Sequence, residues 1–139
     1  MRDADVVRKA YAALAARDLD TLEGLFAWDA VWVLPGSSAI SGTHVGWPAI
    51  RDQLIALLGP FSGGTFHAEL LDVAVGERYV VAVQRTSGEY KGRTLGVTSC
   101  QLVRLERGRI QEVSGLYSAE AAAQIDAFWV GRPQAARLT

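Results

Sequence analysis

The apolar residues of the first sixty positions recur every three or four residues, which is the spacing of amphipathic helices. One helix is predicted over residues 3 to 16, a short one follows it, and a third begins near Pro48 and stops at Gly59-Pro60. Their inward positions are predicted to be Val6, Val7, Ala10, Tyr11 and Leu14, then Leu22, Leu25 and Phe26, then Ile50, Leu54, Leu57 and Leu58.

Beyond Gly63-Gly64 the pattern changes to β-rich runs, "TFHAELLDVAV", "YVVAVQRTSGEY", "TLGVTSCQLVRLE" and "RIQEVSGLY". Short breaks at Gly76-Glu77, Lys91-Gly92 and Arg107-Gly108 separate them, which predicts a four-stranded antiparallel meander. The earlier run "VWVL" predicts one more strand, and "SAEAAAQIDAFW" predicts a closing helix that starts near Ser118.

Helices followed by hairpin-connected strands predict an α+β fold, with the helices on one face of a curved antiparallel sheet that forms a cone with an open mouth. The chain of 139 residues is long enough for one domain with a substantial core. We predict a single domain over residues 1–130 and a loose C-terminal tail over 131–139.

The stretch "VWVLPGSSAISGTHVGW", residues 31 to 47, raises the question of a phosphate-binding loop. Its glycines match neither Gly-x-Gly-x-x-Gly nor Gly-Lys-Ser/Thr, so a nucleotide loop is not predicted. The interpretation we favour is that Pro35 and Gly36 turn the chain and that Gly42 and Gly46 allow tight bends before the next helix. His44 is then expected to be a surface or loop histidine near the rim.

Composition excludes several classes of partner. Fourteen basic and fifteen acidic residues give a net charge of −1 without any charge block, which argues against nucleic acid and anionic membrane surfaces. No apolar run is long enough to span a bilayer, and the charged start "MRDADVVRKAY" lacks the apolar core of a signal peptide. The lone Cys100 cannot form an internal disulfide, so we expect a cytoplasmic protein. No metal site and no cofactor are predicted.

Four segments together resemble the SnoaL-like and ketosteroid-isomerase-like branch of the nuclear transport factor 2-like superfamily. They are "DLDTLEGLFAWDAVWVLPG", "SGTHVGWPAI", "GRIQEVSGLYS" and "IDAFW", within residues 5 to 129. The resemblance implies a conical (cystatin-like) α+β barrel around a deep apolar pocket, commonly in dimers. It implies isomerase, polyketide-cyclase or epoxide-hydrolase chemistry, or no catalysis.

The residues at the matched catalytic positions depart from each of these patterns. The isomerase pattern needs a base carboxylate, an oxyanion Asp and a Tyr, and the matched residues are Leu34, Cys100 and Ala10, with Tyr11 one residue away. The cyclase pattern has an Asp on the last strand, where this chain has Gly115. The epoxide-hydrolase pattern is an Asp-Arg-Asp set. Arg85 matches its Arg, but its Asp positions carry Ser87 and Gly115, and an arginine cannot deprotonate water.

The pocket lining follows from strand pairing. A hairpin about Arg107-Gly108 sets Cys100 opposite Gly115, and the resemblance makes that face the inner one. The predicted lining residues are Tyr11, Leu14, Trp32, Leu34, Val83, Arg85, Thr98, Cys100, Leu102, Val113, Gly115 and Tyr117.

The register of the strand that carries Arg85 stays open at this point. A shift of one residue would turn Gln84 and Thr86 inward, and Arg85 could instead form a cross-strand ion pair with Glu69. Cys100 is expected to behave as a small hydrophobe, and Tyr117 either donates a hydrogen bond to a ligand or caps the core.

The sequence therefore predicts a pocket for a small hydrophobic molecule in a protein without the family's catalytic carboxylates. The alternatives are a non-catalytic ligand-binding domain and a dimerisation domain. A homodimer is expected, with an outer sheet face composed of Ser99, Gln101, Val103 and Leu105.

Overall fold

The computed structural model of the chain describes residues 1 to 130, so the predicted tail over 131–139 lies outside the described residues. The helices of this part are α1 (Asp3–Ala15), α2 (Leu19–Leu25), α3 (Trp47–Ile50), α4 (Ala56–Leu58) and α5 (Ala119–Phe128), with a π-helical turn at Arg51–Ile55 and a 3-10 turn at Pro60–Ser62. The strands are β1 (Phe26–Leu34), β2 (Gly42–Val45), β3 (His67–Val75), β4 (Val80–Tyr90), β5 (Arg93–Glu106) and β6 (Arg109–Leu116).

The predicted helices are confirmed, and local chemistry fixes their ends. The Asp18 carboxylate accepts a hydrogen bond from the Thr21 backbone N–H and so caps the start of α2. Pro48 lies in the first turn of α3, where its missing N–H costs nothing. The Ser118 hydroxyl accepts from the Ala121 N–H at 3.1 Å and caps α5 at the predicted residue.

The strands form one open six-stranded sheet in the order β2-β1-β6-β5-β4-β3, which confirms the α+β class. The sheet is mixed, because β1 runs parallel to β6, with Trp32 beside Val113. The expected bends at Gly42 and Gly46 are confirmed, since both glycines have positive φ angles of 122° and 89°. Gly42 to Val45 also form an edge strand that pairs with β1, and this strand was not predicted. This strand has only four residues and begins with a glycine, a residue type that is depleted in strands, so its sequence has a weak strand signal.

The predicted meander from β3 to β6 is confirmed, together with two of its turns. Lys91 and Gly92 have φ angles of 52° and 77°, and Arg107 and Gly108 have φ angles of 55° and 77°. Positive φ at both central residues is the geometry of the two-residue hairpin turn that suits the twist of antiparallel strands.

A β-bulge changes the register of β5 against β6. Next to the turn Glu106 pairs with Arg109, as the two-residue hairpin requires, but beyond Arg104 the pairing shifts by one residue. Cys100 therefore lies opposite Leu116, and Gln101 lies opposite Gly115. The predicted pairing of Cys100 with Gly115 is wrong. The extra residue in β6 shifts the pairing by one position, so the β5 residues that share a face with Gly115 are the neighbours of those predicted.

Helices cover the concave face of the sheet, and α5 closes one end. The helix is fixed on two sides: the Gln124 side chain accepts from the Gly96 N–H, and the Asp126 carboxylate accepts from the Ser37 N–H at 3.0 Å. Phe128 and Trp129 are buried in the core beside Phe66. Among residues 1–130 there is no helix with the length and apolar character needed to cross a membrane.

Candidate functional site: a cavity on the concave face of the sheet

A cavity of about 100 Å³ lies between the concave face of the sheet and the helices. By volume it can take several water molecules or a compact ring compound. The described residues that line it include Ala10, Tyr11, Leu14, Phe26, Trp32, Leu34, Gln84, Thr86, Gln101, Val103, Val113, Tyr117, Ile125 and Trp129.

Most of the wall is aliphatic or aromatic because each element presents its apolar stripe to the cavity. Helix α1 contributes Ala10 and Leu14 from the stripe recognised in the sequence. Strand β1 contributes Leu34 and the indole of Trp32, whose ring lies 6.0 Å from that of Phe26 in a stacked arrangement. Such walls exclude water from an apolar guest and give the hydrophobic driving force for its binding.

A first polar group in the wall is a chain of hydrogen bonds across α1, β4 and β5. The Tyr11 hydroxyl donates to Gln84 Oε1 at 2.6 Å, and Gln84 Nε2 donates to Ser99 Oγ at 3.2 Å. Gln84 and Ser99 are both buried. Each partner satisfies the next, so these buried polar groups avoid the desolvation cost of unpaired ones.

A second polar group joins β5 to the end of β6. Gln101 Nε2 donates to the Tyr117 hydroxyl oxygen at 3.4 Å. The Tyr117 ring folds over Gly115: a Cβ at Gly115 would lie 2.8 Å from the Tyr117 hydroxyl oxygen and 2.9 Å from the ring carbon that bears it. Real Cβ atoms do not approach other atoms so closely. The missing side chain of Gly115 is therefore what seats the Tyr117 ring against the sheet.

Both tyrosines of the cavity stay protonated at neutral pH. Burial raises the pKa of Tyr11 far above its usual value, and the neighbouring Tyr117 and Cys100 add to the rise. Burial also raises the pKa of Tyr117, partly offset by the hydrogen bond from Gln101. Both phenols are thus neutral hydrogen-bonding groups and not bases.

Two buried polar atoms of cavity residues lack a partner within residues 1–130, Trp32 Nε1 and Gln101 Oε1. A third belongs to His44, whose Nε2 donates to the Ile40 carbonyl at 2.9 Å while Nδ1 has no partner in the same part of the chain. His44 is 5% exposed, so the expectation of a surface histidine is wrong. It is buried because it sits on β2 directly opposite Trp32 and shares the inner face with it.

The structure brings part of the predicted lining together. Tyr11, Leu14, Trp32, Leu34, Val113 and Tyr117 line the cavity. Gly115 is buried on the same face of β6, beneath the Tyr117 ring. Tyr11 and Leu14 were placed by helical spacing, and Val113, Gly115 and Tyr117 share the face of β6 that the resemblance made the inner one. The bulge in β6 precedes these three residues and does not change the face they share.

The other five predicted residues face away from the cavity. On β5 the residues Thr98, Cys100 and Leu102 occupy the outer face, because the bulge turns their neighbours inward. On β4 the neighbours Val83 and Arg85 are outward as well.

The open register of β4 is resolved in favour of the shifted pairing, with Gln84 and Thr86 lining the cavity. Arg85 is the register partner of Glu69, as the alternative required, but its guanidinium donates to Thr98 Oγ1 at 3.4 Å.

The inner residues that sequence reasoning placed on the wrong face are Ser99, Gln101 and Val103. The signal that could have found them is the row of polar residues Gln84, Thr86 and Gln101 at alternating positions of two central strands. A central strand is paired with another strand on each side. Polar residues that recur at alternate positions of such a strand therefore indicate a cavity lining or a buried hydrogen-bond network.

The lining limits the chemistry. Within residues 1–130 the cavity wall contains no Asp, Glu, Lys, Arg or His side chain. Its polar groups are phenol, indole, amide and hydroxyl, which donate and accept hydrogen bonds without changing charge near neutral pH. The arrangement can bind and orient an uncharged molecule and polarise an oxygen atom.

Comparisons with known proteins agree with this fold. A model of the SnoaL-like domain family matches residues 7–113. An uncharacterized protein of Mycobacterium tuberculosis is 34% identical over 131 residues, which cover 91% of this chain and 95% of the relative. The structure of Bal32a, from a soil-derived mobile gene cassette, has a TM-score of 0.85 at 34% identity and covers 91% of this chain and 95% of its own.

Two further solved structures extend the likeness. A Xanthomonas campestris protein of unknown function with a cystatin-like fold has a TM-score of 0.85 at 30% identity, over 94% of this chain and 100% of its own. IdmH, a putative polyketide cyclase from Streptomyces antibioticus, has a TM-score of 0.70 at 23% identity, over 90% of this chain and 99% of its own. At that lower identity the likeness concerns the fold alone.

Proposed function

The chain belongs to the SnoaL-like family of polyketide-cyclase-like domains in the nuclear transport factor 2-like superfamily, and from that premise we propose that it binds an uncharged hydrophobic ring compound in its cavity. The observation that carries the proposal is the composition of the wall, which is apolar except for neutral hydrogen-bonding groups. Such a wall favours a guest that buries carbon surface, and it penalises a charged guest that would lose its hydration without gaining an ion pair.

The proposal includes a limit on catalysis. The positions matched to the isomerase carboxylates carry Leu34 and Cys100, and the position matched to the cyclase Asp carries Gly115. A positioned general base contributes roughly 10²–10⁴-fold to a proton transfer, and no side chain of the described cavity wall supplies one. We therefore expect no enzymatic isomerisation of a Δ5-3-ketosteroid, measured as ultraviolet absorbance of the conjugated enone. Turnover that disappears on mutation of a single carboxylate would contradict this limit.

Calorimetric titration with 2-methoxynaphthalene tests the binding proposal. Ala10 lines the cavity, whereas Ala12 on the same helix is exposed. Ala10→Leu fills part of the space and should weaken binding about tenfold or more, and Ala12→Leu should leave it unchanged. Both substitutions keep high helix propensity, so both variants should stay folded. Absence of binding to the wild type, or equal binding by the two variants, would contradict the proposal.

A second candidate function is homodimerisation, and it stands on the outer face of the sheet. Leu102 lies between Val81 and Ser114, and Cys100 lies between Val83 and Leu116. Leu116 is 51% exposed. We call the residues Val81, Val83, Cys100, Leu102 and Leu116 the outer patch. The patch differs from the predicted interface, because Ser99, Gln101 and Val103 are buried on the inner side. A second copy would remove this apolar surface from water.

We also propose that the protein is located in the cytoplasm. Its support is the unpaired Cys100, whose thiol fits a reducing compartment. Cell fractionation with a tagged chain tests it, and recovery in the extracellular fraction would contradict it.

A further inference from the structure

The hydrogen-bonding capacity of the cavity is unbalanced in a way that specifies the ligand. The Tyr11 hydroxyl donates its hydrogen bond to Gln84 Oε1, so the lone pairs of the hydroxyl oxygen remain available to accept a hydrogen bond. Tyr117 receives a hydrogen bond from Gln101 Nε2, and its own O–H has no acceptor among residues 1–130. Two neutral phenols of one cavity therefore have opposite roles, one as acceptor and one as donor.

The two unpaired buried atoms of the cavity residues are likewise one donor and one acceptor. Trp32 Nε1 is a buried donor and Gln101 Oε1 is a buried acceptor, and neither has a partner in the part of the chain that the structure describes. Gln101 is 5% exposed and lines the cavity. An unpaired buried polar group is costly, so a guest that brings both a donor and an acceptor relieves more of that cost than a guest with only one.

The position of the donor depends on Gly115. The Tyr117 hydroxyl oxygen lies 2.8 Å from the point where a Cβ at Gly115 would stand. Any side chain at position 115 would push the phenol off the sheet and away from Gln101. Gly115 has no positive φ angle, so its backbone is compatible with alanine, and the only demand for glycine here is the space that the ring occupies.

We propose that Gly115 and Tyr117 set the ligand preference of the cavity: the seated Tyr117 hydroxyl donates to, and Tyr11 accepts from, an uncharged ring compound that carries a hydroxyl group. The proposal rests on the proposed binding function and narrows it to a ligand class. A hydroxyl group gives and takes one hydrogen bond, as the two phenols require. An ether can only accept, and a carboxylate brings a charge for which the described wall has no counter-ion.

Three matched probes test the ligand class by calorimetric titration at pH 7: 2-naphthol, 2-methoxynaphthalene and 2-naphthoate. The wild type should bind the naphthol about three- to tenfold more tightly than the ether, which is the range for one neutral hydrogen bond. The naphthoate should bind weakest. Equal affinity for naphthol and ether, or tightest binding of the naphthoate, would overturn this inference and leave the binding proposal standing. Absence of binding by all three would overturn both.

Variants assign the roles. Tyr11→Phe should remove the difference between naphthol and ether, because it deletes the acceptor. Tyr117→Phe should weaken both probes by a similar factor of a few, because it deletes the donor. Gly115→Ala should match Tyr117→Phe, and a Gly115→Ala protein with wild-type affinities would overturn the role of Gly115.

The matched control is Tyr79→Phe, which changes a tyrosine outside the described cavity lining and should bind as the wild type does. Thermal melts of each variant show whether it is folded. If Tyr11→Phe does not fold, the ratio of the affinities for naphthol and ether in Gly115→Ala and Tyr117→Phe still tests the inference. Both variants should retain the preference for the naphthol while losing affinity for both probes.

Discussion

In the middle of β4 and β5, several polar residues lie on the inner face of the sheet and several apolar residues lie on its outer face, which is the reverse of the usual pattern of a globular protein. The inner face of β4 and β5 presents Gln84, Thr86, Ser99 and Gln101, all of them buried. The outer face of the same strands presents Val81, Val83, Cys100 and Leu102, which are only half buried. Ordinary patterning places apolar residues inside and polar residues outside. The inner face therefore carries buried polar side chains beside the cavity, and the outer face leaves apolar side chains partly exposed.

The inner face tolerates its polar residues because they pair with one another and border a cavity. The chain from Tyr11 through Gln84 to Ser99 satisfies its members, while the apolar residues Val103 and Val113 lie farther along the strands and build the core. The outer face has no such network among its apolar residues. This local departure from patterning supports the two proposals made above, a ligand on the inner face and a second copy of the chain on the outer face.

The largest expected effect comes from a charge on the inner face. Val103→Asp places a carboxylate at a residue that is 4% exposed, where no basic side chain of the described wall can pair with it. We expect a loss of about 3–5 kcal/mol in the free energy of unfolding, since an uncompensated buried charge costs several kcal/mol. Thr98→Asp, at an exposed position on the outer face of the same strand and outside the outer patch, should cost far less. Urea denaturation measures both, and equal losses would show that the two faces do not differ.

The next effect concerns the outer patch. Leu102→Lys should convert the proposed dimer into a monomer, with an increase of about 100-fold in the dissociation constant, because a charge would be buried at the centre of the interface. Val75→Lys, which changes a residue of β3 outside the patch that is 64% exposed, is the control and should remain dimeric. Light scattering at tens of micromolar measures the mass. A monomeric wild type at that concentration would refute the proposal.

A smaller effect follows from the protonation of the two cavity tyrosines. Their folded-state pKa values are raised, so folding favours the protonated forms. This stabilisation is complete below the unfolded pKa of about 10 and is lost as pH rises through the folded values, by at most about 1.4 kcal/mol per pH unit for each group.

The double variant Tyr11→Phe/Tyr117→Phe should therefore lose less stability than the wild type between pH 9 and pH 11. Urea midpoints at the two pH values measure the loss, and parallel losses would show that neither phenol is coupled to folding.

The smallest effect is spectroscopic. Trp32 lines the cavity, so 2-methoxynaphthalene should change the tryptophan fluorescence of the protein, and Trp32→Phe should reduce that change. Trp129 also lines the cavity and contributes, which makes it unsuitable as a silent control. Trp28→Phe is the appropriate one, because Trp28 is 65% exposed. A response that is unaltered in Trp32→Phe would place the ligand elsewhere.

Much of the architecture could be predicted from the sequence because its signals are local. Helical spacing placed α1 and the Tyr11–Leu14 side of the cavity, and Ser118 marked the start of α5. The pairs Lys91-Gly92 and Arg107-Gly108 fixed two hairpins, because only a few residue types adopt positive φ at low cost. Each of these features depends on residues within a few positions of one another.

The candidate site was predictable only in part, because its strand faces depend on register. Val113, Gly115 and Tyr117 were assigned to the inner face, but one bulge residue in β6 turned Gln101 inward and Cys100 outward. Nothing within β5 marks that bulge, and a shift of one residue exchanges every side chain between the faces. β2 and the burial of His44 were missed for a related reason, since both depend on pairing with β1.

The sequence by itself determined the helices, the meander, two tight turns and the family resemblance, because propensity, periodicity and turn chemistry act over short distances. Only the tertiary structure decided which face of β4 and β5 borders the cavity, that Tyr117 folds over Gly115, and that Tyr11 bonds to Gln84 across 73 positions of the chain. These outcomes are settled by packing between distant segments, where the free energy of the whole core selects one register among several that the local sequence permits.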